Sequence, residues 1–234
     1  MTPPDLDPTE PDAADHRQAD WDRYRQLDTL IDHWHRPGWS QGRRSYHWIV
    51  RFDGYPAVRE HAAHCQQRLR HLPTLDLVPA TGLHLTLQRV AFTDEVTTAD
   101  VHDVVAAAHG RCAAIPPVTV SVGPLAGSAG AVRFSVGPHH PIRQIRAATQ
   151  AAIVEVLGSQ ALPTRATPFV PHVSIAYNNT PANAQPVIEQ VAALRPLGTV
   201  TVEVRAIDLV ELRRDGATYA WSPFATVPLT GHTG

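Results

Sequence analysis

Apolar and polar residues alternate in short runs along most of this chain, and stretches of helical spacing separate those runs. Residues 45–52 are rich in aromatic and β-branched side chains and read as a strand. Residues 56–72 follow with helical spacing, placing Val58, Ala62, Cys65 and Leu69 on one side. Strand patterns return at 75–78 and 83–90, divided by the turn Pro79-Ala80-Thr81-Gly82, and 100–108 reads as a helix. Residues 118–125 and 131–136 read as strands flanking a hairpin loop over 126–130. A helix is predicted over 142–157, stopped by Gly158 in a C′ position. A strand over 171–177, a helix near 182–194 and strands around 200–204, 206–212 and 219–228 complete the chain. Several neighbouring strands are joined by short turns rather than helical crossovers. The expected fold class is therefore α+β, with antiparallel sheets covered by helices.

The first 44 residues follow a different pattern. Residues 1–19 are dominated by Pro, Asp and Ala, with little to bury, and read as a disordered acidic tail. Trp21, Tyr24, Leu27, Ile31 and Trp34 then recur at helical intervals behind Asp20, a candidate N-cap. Pro37-Gly38 would end that short amphipathic helix, which is expected to pack on the main body. The predicted organisation is thus 1–44 as tail plus helix and 45–234 as one domain.

Two segments carry candidate chemistry: His84-Leu85-Thr86-Leu87 and His172-Val173-Ser174-Ile175. Each places a hydroxyl two residues after a histidine, with apolar residues interleaved. About 0.3 such matches are expected by chance in a chain of this histidine content, so the pair carries information that one copy would not. In a strand, residues i and i+2 point to the same face. His84 and Thr86 would project together while Leu85 and Leu87 enter a core, and the second segment repeats the arrangement. Two imidazoles and two hydroxyls facing one cleft can hold a phosphate and move protons on both sides of it. A solvated strand face is the competing explanation for either histidine alone.

These motifs resemble those of the two-histidine (2H) phosphoesterase superfamily, in particular its 2′-5′ RNA ligase-like and cyclic phosphodiesterase members. The resemblance covers roughly residues 45–230, with 220–229 similar to the family's closing strand. It implies a bilobal fold of two pseudosymmetric halves, with two antiparallel sheets lining a central cleft and helices on the outer faces. It further implies metal-independent chemistry on a 2′,3′-cyclic phosphate or 2′-5′ phosphodiester of RNA or nucleotides. His84 and His172 would then be the acid–base pair, with Thr86 and Ser174 donating to phosphate oxygens. No cofactor or metal is expected, and the expected partners are RNA ends or small cyclic or oligonucleotide substrates. A non-catalytic nucleotide- or RNA-binding module using the same cleft is the alternative. A histidine metalloenzyme is a third reading, disfavoured because no recognised ligand spacing occurs.

Composition adjusts this picture in three places. Net charge is −2, yet residues 1–32 hold nine acids against three arginines, which leaves the rest of the chain at +4. That body suits a small phosphodiester better than a long duplex. All twenty positive charges are arginine, which excludes lysine Schiff bases and a Walker lysine. Two cysteines make no disulfide framework, no apolar run approaches 18 residues, and the N-terminus lacks signal-peptide features. A cytoplasmic monomer is expected, with no membrane association.

Further candidates lie beside the motifs. Tyr177 could reach the phosphate or stack on a base, and Gln88 shares a face with His84 and Thr86 if the strand is regular. Tyr46, Trp48, Phe52 and Trp221 are either a base-stacking wall or core. Arg89 and Arg133 could steer a phosphate or form ordinary surface pairs. His33, His35, His61, His64, His139 and His140 read as surface histidines.

Overall fold

The structure, a computed structural model, describes residues 13–35, 38–40, 42–162 and 168–232. Its helices are α1 (Ala13–Tyr24), α2 (Pro56–Leu69), α3 (Thr98–Cys112), α4 (His139–Leu157) and α5 (Gln185–Leu194). Its strands are β1 (Thr29–Leu30), β2 (Arg44–Arg51), β3 (Leu75–Leu77), β4 (His84–Phe92), β5 (Val118–Ser128) and β6 (Ala131–Gly137). The remainder are β7 (His172–Asn178), β8 (Ala182–Asn183), β9 (Val200–Val204), β10 (Ala206–Arg214) and β11 (Tyr219–Pro228).

Local chemistry explains several boundaries. Pro56 occupies the first turn of α2, where its missing N–H costs no bond. Thr97 and Asp100 form a reciprocal capping box at the start of α3. Gly158 follows α4 at φ 82°, in the region that a side chain disfavours.

The strands form a four-stranded sheet in the order β11-β10-β2-β4 and a five-stranded sheet in the order β3-β7-β6-β5-β9, with β1 and β8 as a small separate pair. Every pairing is antiparallel. The α+β architecture expected from the alternation is therefore the one observed. Val50, Leu85 and Leu87 of one sheet, with Phe52 just beyond β2, meet Val118, Val120 and Val136 of the other, with Ile142 and Ile145 of α4 between them. Helices also cross between the halves. The helix α2 leaves the four-stranded sheet and packs on β7 and β9, while α4 leaves β6 and packs on α3 and β4. This exchange ties the two sheets into one body.

The N-terminal segment departs from expectation. Residues 1–12 of the predicted tail lie outside the described residues, but Ala13 onward is already helical, and α1 ends at Tyr24. Asp20 is thus inside the helix rather than its N-cap. Residues 25–34 form a strap instead of a helix because the body offers backbone partners. Leu30 pairs with Ala182, Ile31 N–H donates to the Ala129 carbonyl, and His33 N–H donates to that of Asn178. Leu30 is buried by this path while Ile31 is exposed. The same competition moves the start of α5 to Gln185, since Ala182–Asn183 serves as β8.

The predicted loop over 126–130 is mostly strand, with β5 continuing to Ser128. Gly127 sits where a Cβ would stand 2.3 Å from the ring of buried Tyr24. The helix α1 therefore docks against a surface that only glycine leaves open. Among the described residues no helix is long and apolar enough to cross a membrane. Gly127→Ala should cost about 1–3 kcal/mol by overpacking this contact. Chemical denaturation would register the loss, and Tyr24→Leu in the same chain should recover part of it.

Candidate active site

The strands β4 and β7 pack against each other where the two sheets meet. Leu85 and Leu87 on β4, and Val173 and Ile175 on β7, are fully or almost fully buried. Alternation turns the four polar residues of the motifs to the opposite side. His84, Thr86 and His172 are half-buried there, and Ser174 is nearly covered.

Both imidazoles are held in the same way. His84 Nδ1 lies 2.8 Å from the carbonyl of Gly82, and His172 Nδ1 lies 2.7 Å from that of Val170. A carbonyl only accepts, so each ring carries its proton on Nδ1 and leaves Nε2 as the free base. In each case the carbonyl belongs to the residue two places before the histidine, at the entry to the strand. The His84 ring also meets Trp221 edge to face, with centroids 5.1 Å apart.

Burial lowers the proton affinity of both rings. His84 falls below its ordinary value through desolvation, opposed by its bond to Gly82. His172 is pushed down to about 3, first by desolvation and then by the positive charge of Arg133, with a smaller contribution from His84. The Val170 carbonyl and Asp20 act in the other direction. An anion bound between the rings would supply the missing counter-charge and raise both values.

Cross-strand register identifies further groups on this side. In β6, Ser135 lies opposite His172 and Arg133 lies opposite Ser174. Asp20 of α1, only 1% exposed, reaches both: its Oδ1 accepts from Arg133 Nη2 at 2.7 Å and its Oδ2 from Ser135 Oγ at 2.6 Å. Nothing in the sequence pattern around Asp20 pointed to this contact. Arg133 and Ser135 were more legible, since their own i, i+2 spacing in a strand places them on one face.

The secondary candidates divide. A register shift after Trp48 leaves Leu87 without a partner in β2 and sets Gln88 opposite Trp48, on the side away from His84. Gln88 is fully buried, and its Oε1 accepts from Arg146 Nη2 and Gln150 Nε2 of α4. The expected shared face therefore fails because the strand is bulged, and Gln88 anchors α4 instead. Arg89 takes the cleft side, opposite His47.

A second shift, in β7, leaves Ile175 without a partner in β6 and returns Tyr177 to the side of His172 and Ser174. Tyr177 is 4% exposed, stacked on His33 at 4.0 Å and edge-on to Trp34 and Tyr219. His33 Nε2 is 3.0 Å from the Tyr219 hydroxyl, and the Arg214 guanidinium lies 4.9 Å over Trp39. This cluster joins β7 to β11 through the strap.

Trp48 and Phe52 are core, Tyr46 is nearly buried, and Trp221 alone of the four aromatic candidates borders a motif histidine. His33 and His139 are buried rather than on the surface, because aromatic stacking covers them, His139 under His16 at 4.0 Å. His61 likewise stacks on Phe134. An open groove of about 690 Å³ lies elsewhere, but its charges pair with one another, Arg43 with Asp94 and Arg44 with Glu211. Among the described residues no three His, Cys, Asp or Glu side chains are grouped to hold a metal ion.

The two most depressed histidines, His172 at about 3 and His139 at about 4, make stability depend on pH. Their folded values lie below the unfolded value, so the unfolded chain binds the extra protons. Their contribution to stability is complete above about pH 6.5 and is lost progressively as pH falls toward 3. Urea midpoints at pH 7.5 and 5.0 should fall less in His172→Asn and His139→Asn than in the parent chain.

The family described as the 2′-5′ RNA ligase superfamily matches residues 56–216, well over half of the chain and both motifs. No curated protein matches in sequence. Among solved structures, the protein TT0787 of Thermus thermophilus superposes with a TM-score of 0.62 at 19% identity, over 82% of this chain and 100% of that one. A protein described as a phosphoesterase gives 0.58 at 17% identity, over 80% of this chain and 99% of that one. LigT of E. coli complexed with 3′-AMP gives 0.58 at 16% identity, over 80% of this chain and 99% of that one. These likenesses are of fold. With both histidine strands inside the matched span, the chain belongs to the 2′-5′ RNA ligase superfamily.

Proposed function

We propose that this protein is a metal-independent phosphoesterase that opens a 2′,3′-cyclic phosphate or a 2′-5′ phosphodiester of RNA or nucleotides by two-histidine acid–base catalysis. The observation that carries this reading is the matched tethering of the two imidazoles. Each Nδ1–H is bound to a backbone carbonyl, so each Nε2 is free on the side where Thr86 and Ser174 stand. Binding alone would not require two rings fixed in one tautomer. The 3′-AMP complex of LigT shows that this fold accommodates a nucleotide in a relative.

In hydrolysis of a cyclic phosphate, one neutral imidazole takes a proton from the attacking water through Nε2. The water oxygen bonds to phosphorus as the bond to one ribose oxygen breaks. The other imidazole, protonated, delivers its proton to that leaving oxygen, so charge and protons balance and a phosphomonoester results. Thr86 and Ser174 donate to the non-bridging oxygens as negative charge builds on them. The anion offsets the desolvation that otherwise keeps both rings neutral. The pseudosymmetric arrangement lets the two histidines exchange roles between hydrolysis and ligation.

Turnover of 2′,3′-cyclic nucleotides and cyclic-ended RNA in EDTA tests this reading. His84→Ala and His172→Ala should each lower kcat by about 10²–10⁴-fold. Thr86→Val and Ser174→Ala should each cost about 10–100-fold. Activity surviving both histidine substitutions would overturn the acid–base pair, inhibition by EDTA would revive the metalloenzyme, and binding without turnover would favour the non-catalytic module. The profile of kcat/KM should be a bell belonging to the coupled pair, with both limbs below about pH 7 because both rings are depressed in the free protein. The kcat profile should lie at higher pH, since bound phosphate raises both rings. A rate independent of pH from about 5 to 9 would contradict this mechanism.

A further inference from the structure

We infer that Arg133 is a third phosphate-binding group of the cleft, and that Asp20 of the N-terminal helix is the residue that positions it. This inference rests on the phosphoesterase reading above and names groups that neither motif contains.

Three observations converge on it. The first is place: Arg133 is the cross-strand partner of Ser174, on the same side of the five-stranded sheet, and its neighbour on that face, Ser135, is opposite His172. A phosphate held by Ser174 therefore lies next to the guanidinium. The second is incomplete satisfaction. Asp20 binds Arg133 through Nη2 only, because its other oxygen is engaged by Ser135. The Arg133 Nε is buried without a partner. A guanidinium has five N–H donors in a planar fork that suits phosphate, and a buried donor without an acceptor needs explanation. The third is charge. Both histidines are depressed and neutral in the free protein, and no lysine exists in the chain. Arg133, always protonated and held by Asp20, supplies the charged N–H donors that an anion beside His172 would need.

Asp20 explains how this charge is tolerated and aimed. Its carboxylate is 1% exposed and sits between Arg133, Ser135 and, at 3.5 Å, Arg23. It balances the charge of Arg133 and anchors one end of the guanidinium by one short bond. Asp20 precedes the span matched to the family, so this device is built from a segment outside that match.

The experiment uses the full chain and two readouts, steady-state turnover of a 2′,3′-cyclic nucleotide and calorimetric titration with adenosine 2′-monophosphate. Removing Arg133 alone would strand a buried carboxylate and risk unfolding. The main variant is therefore Asp20→Asn with Arg133→Met, which removes both charges together. It should keep the parent's circular dichroism while KM and the dissociation constant of the monophosphate both rise about 10–100-fold. Arg133→Lys should recover part of that loss, because it restores charge without the fork.

The pH profile separates positioning from mere support. The charged and titratable groups acting on His172 are Arg133, Asp20 and His84. Loss of Arg133 in the double variant should move the acid limb of kcat/KM to higher pH, since a repelling charge is gone. Asp20→Asn alone should move it to lower pH. Unchanged KM, monophosphate affinity and acid limb in a folded double variant would overturn the role of Arg133 while leaving the histidine mechanism standing. Absence of turnover in the parent chain would instead sink the phosphoesterase reading, and the monophosphate titration would still decide Arg133.

Discussion

Leu85 and Leu87 of β4, and Val173 and Ile175 of β7, must be buried for the two sheets to join, and this burial orients everything in the cleft. Each such side chain contributes about 1.5–3 kcal/mol when removed from water. A slip of one residue in either strand would send those apolar groups into the cleft and the histidines into the core. Register is therefore strongly specified at the two places where the candidate chemistry stands. The crossing of α2 and α4 between the halves strengthens the same seam, because neither sheet completes its core with its own helices.

The price of that enclosure is electrostatic. Half-buried imidazoles lose hydration, and both give up proton affinity as a result. The carbonyls of Gly82 and Val170 limit the loss and choose the tautomer. Under the proposed function, an anion entering the cleft would meet two neutral rings, two hydroxyls and a guanidinium whose carboxylate partner is already engaged. Phosphate binding and histidine protonation would then be linked, each favouring the other. The N-terminal helix takes part in this balance through Asp20, and the strap joins β7 to β11 through His33 and Trp34.

Much of the main body was legible because it obeys simple periods. Alternation located the strands, and the His-x-Thr and His-x-Ser spacing identified the four polar residues that the structure turns to one side of the seam. Legibility stopped where that regularity breaks. Gln88 was expected beside Thr86, but the bulge at Leu87 carries it to α4; the bulge at Ile175 brings Tyr177 to the cleft side. Bulges are set by how strands twist against their neighbours, and no residue type marks these two. The helical spacing from Trp21 to Trp34 misled for a related reason. Trp21 and Tyr24 do lie on a helix, but beyond Tyr24 the chain becomes a strap that finds backbone partners on the body, and a longer helix would have forfeited those bonds.

The class of fold and the two histidine–hydroxyl pairs can be read from local residue order, because both follow from which side of a strand a residue must occupy. The rest of the site comes from packing between distant segments. That packing selected the tautomer through carbonyls at the strand entries and brought Arg133 beside Ser174 by register. It also set Asp20, far away along the chain, against both Arg133 and Ser135. Those contacts depend on distances across strands and between a helix and a sheet, and local pattern carries no record of such distances.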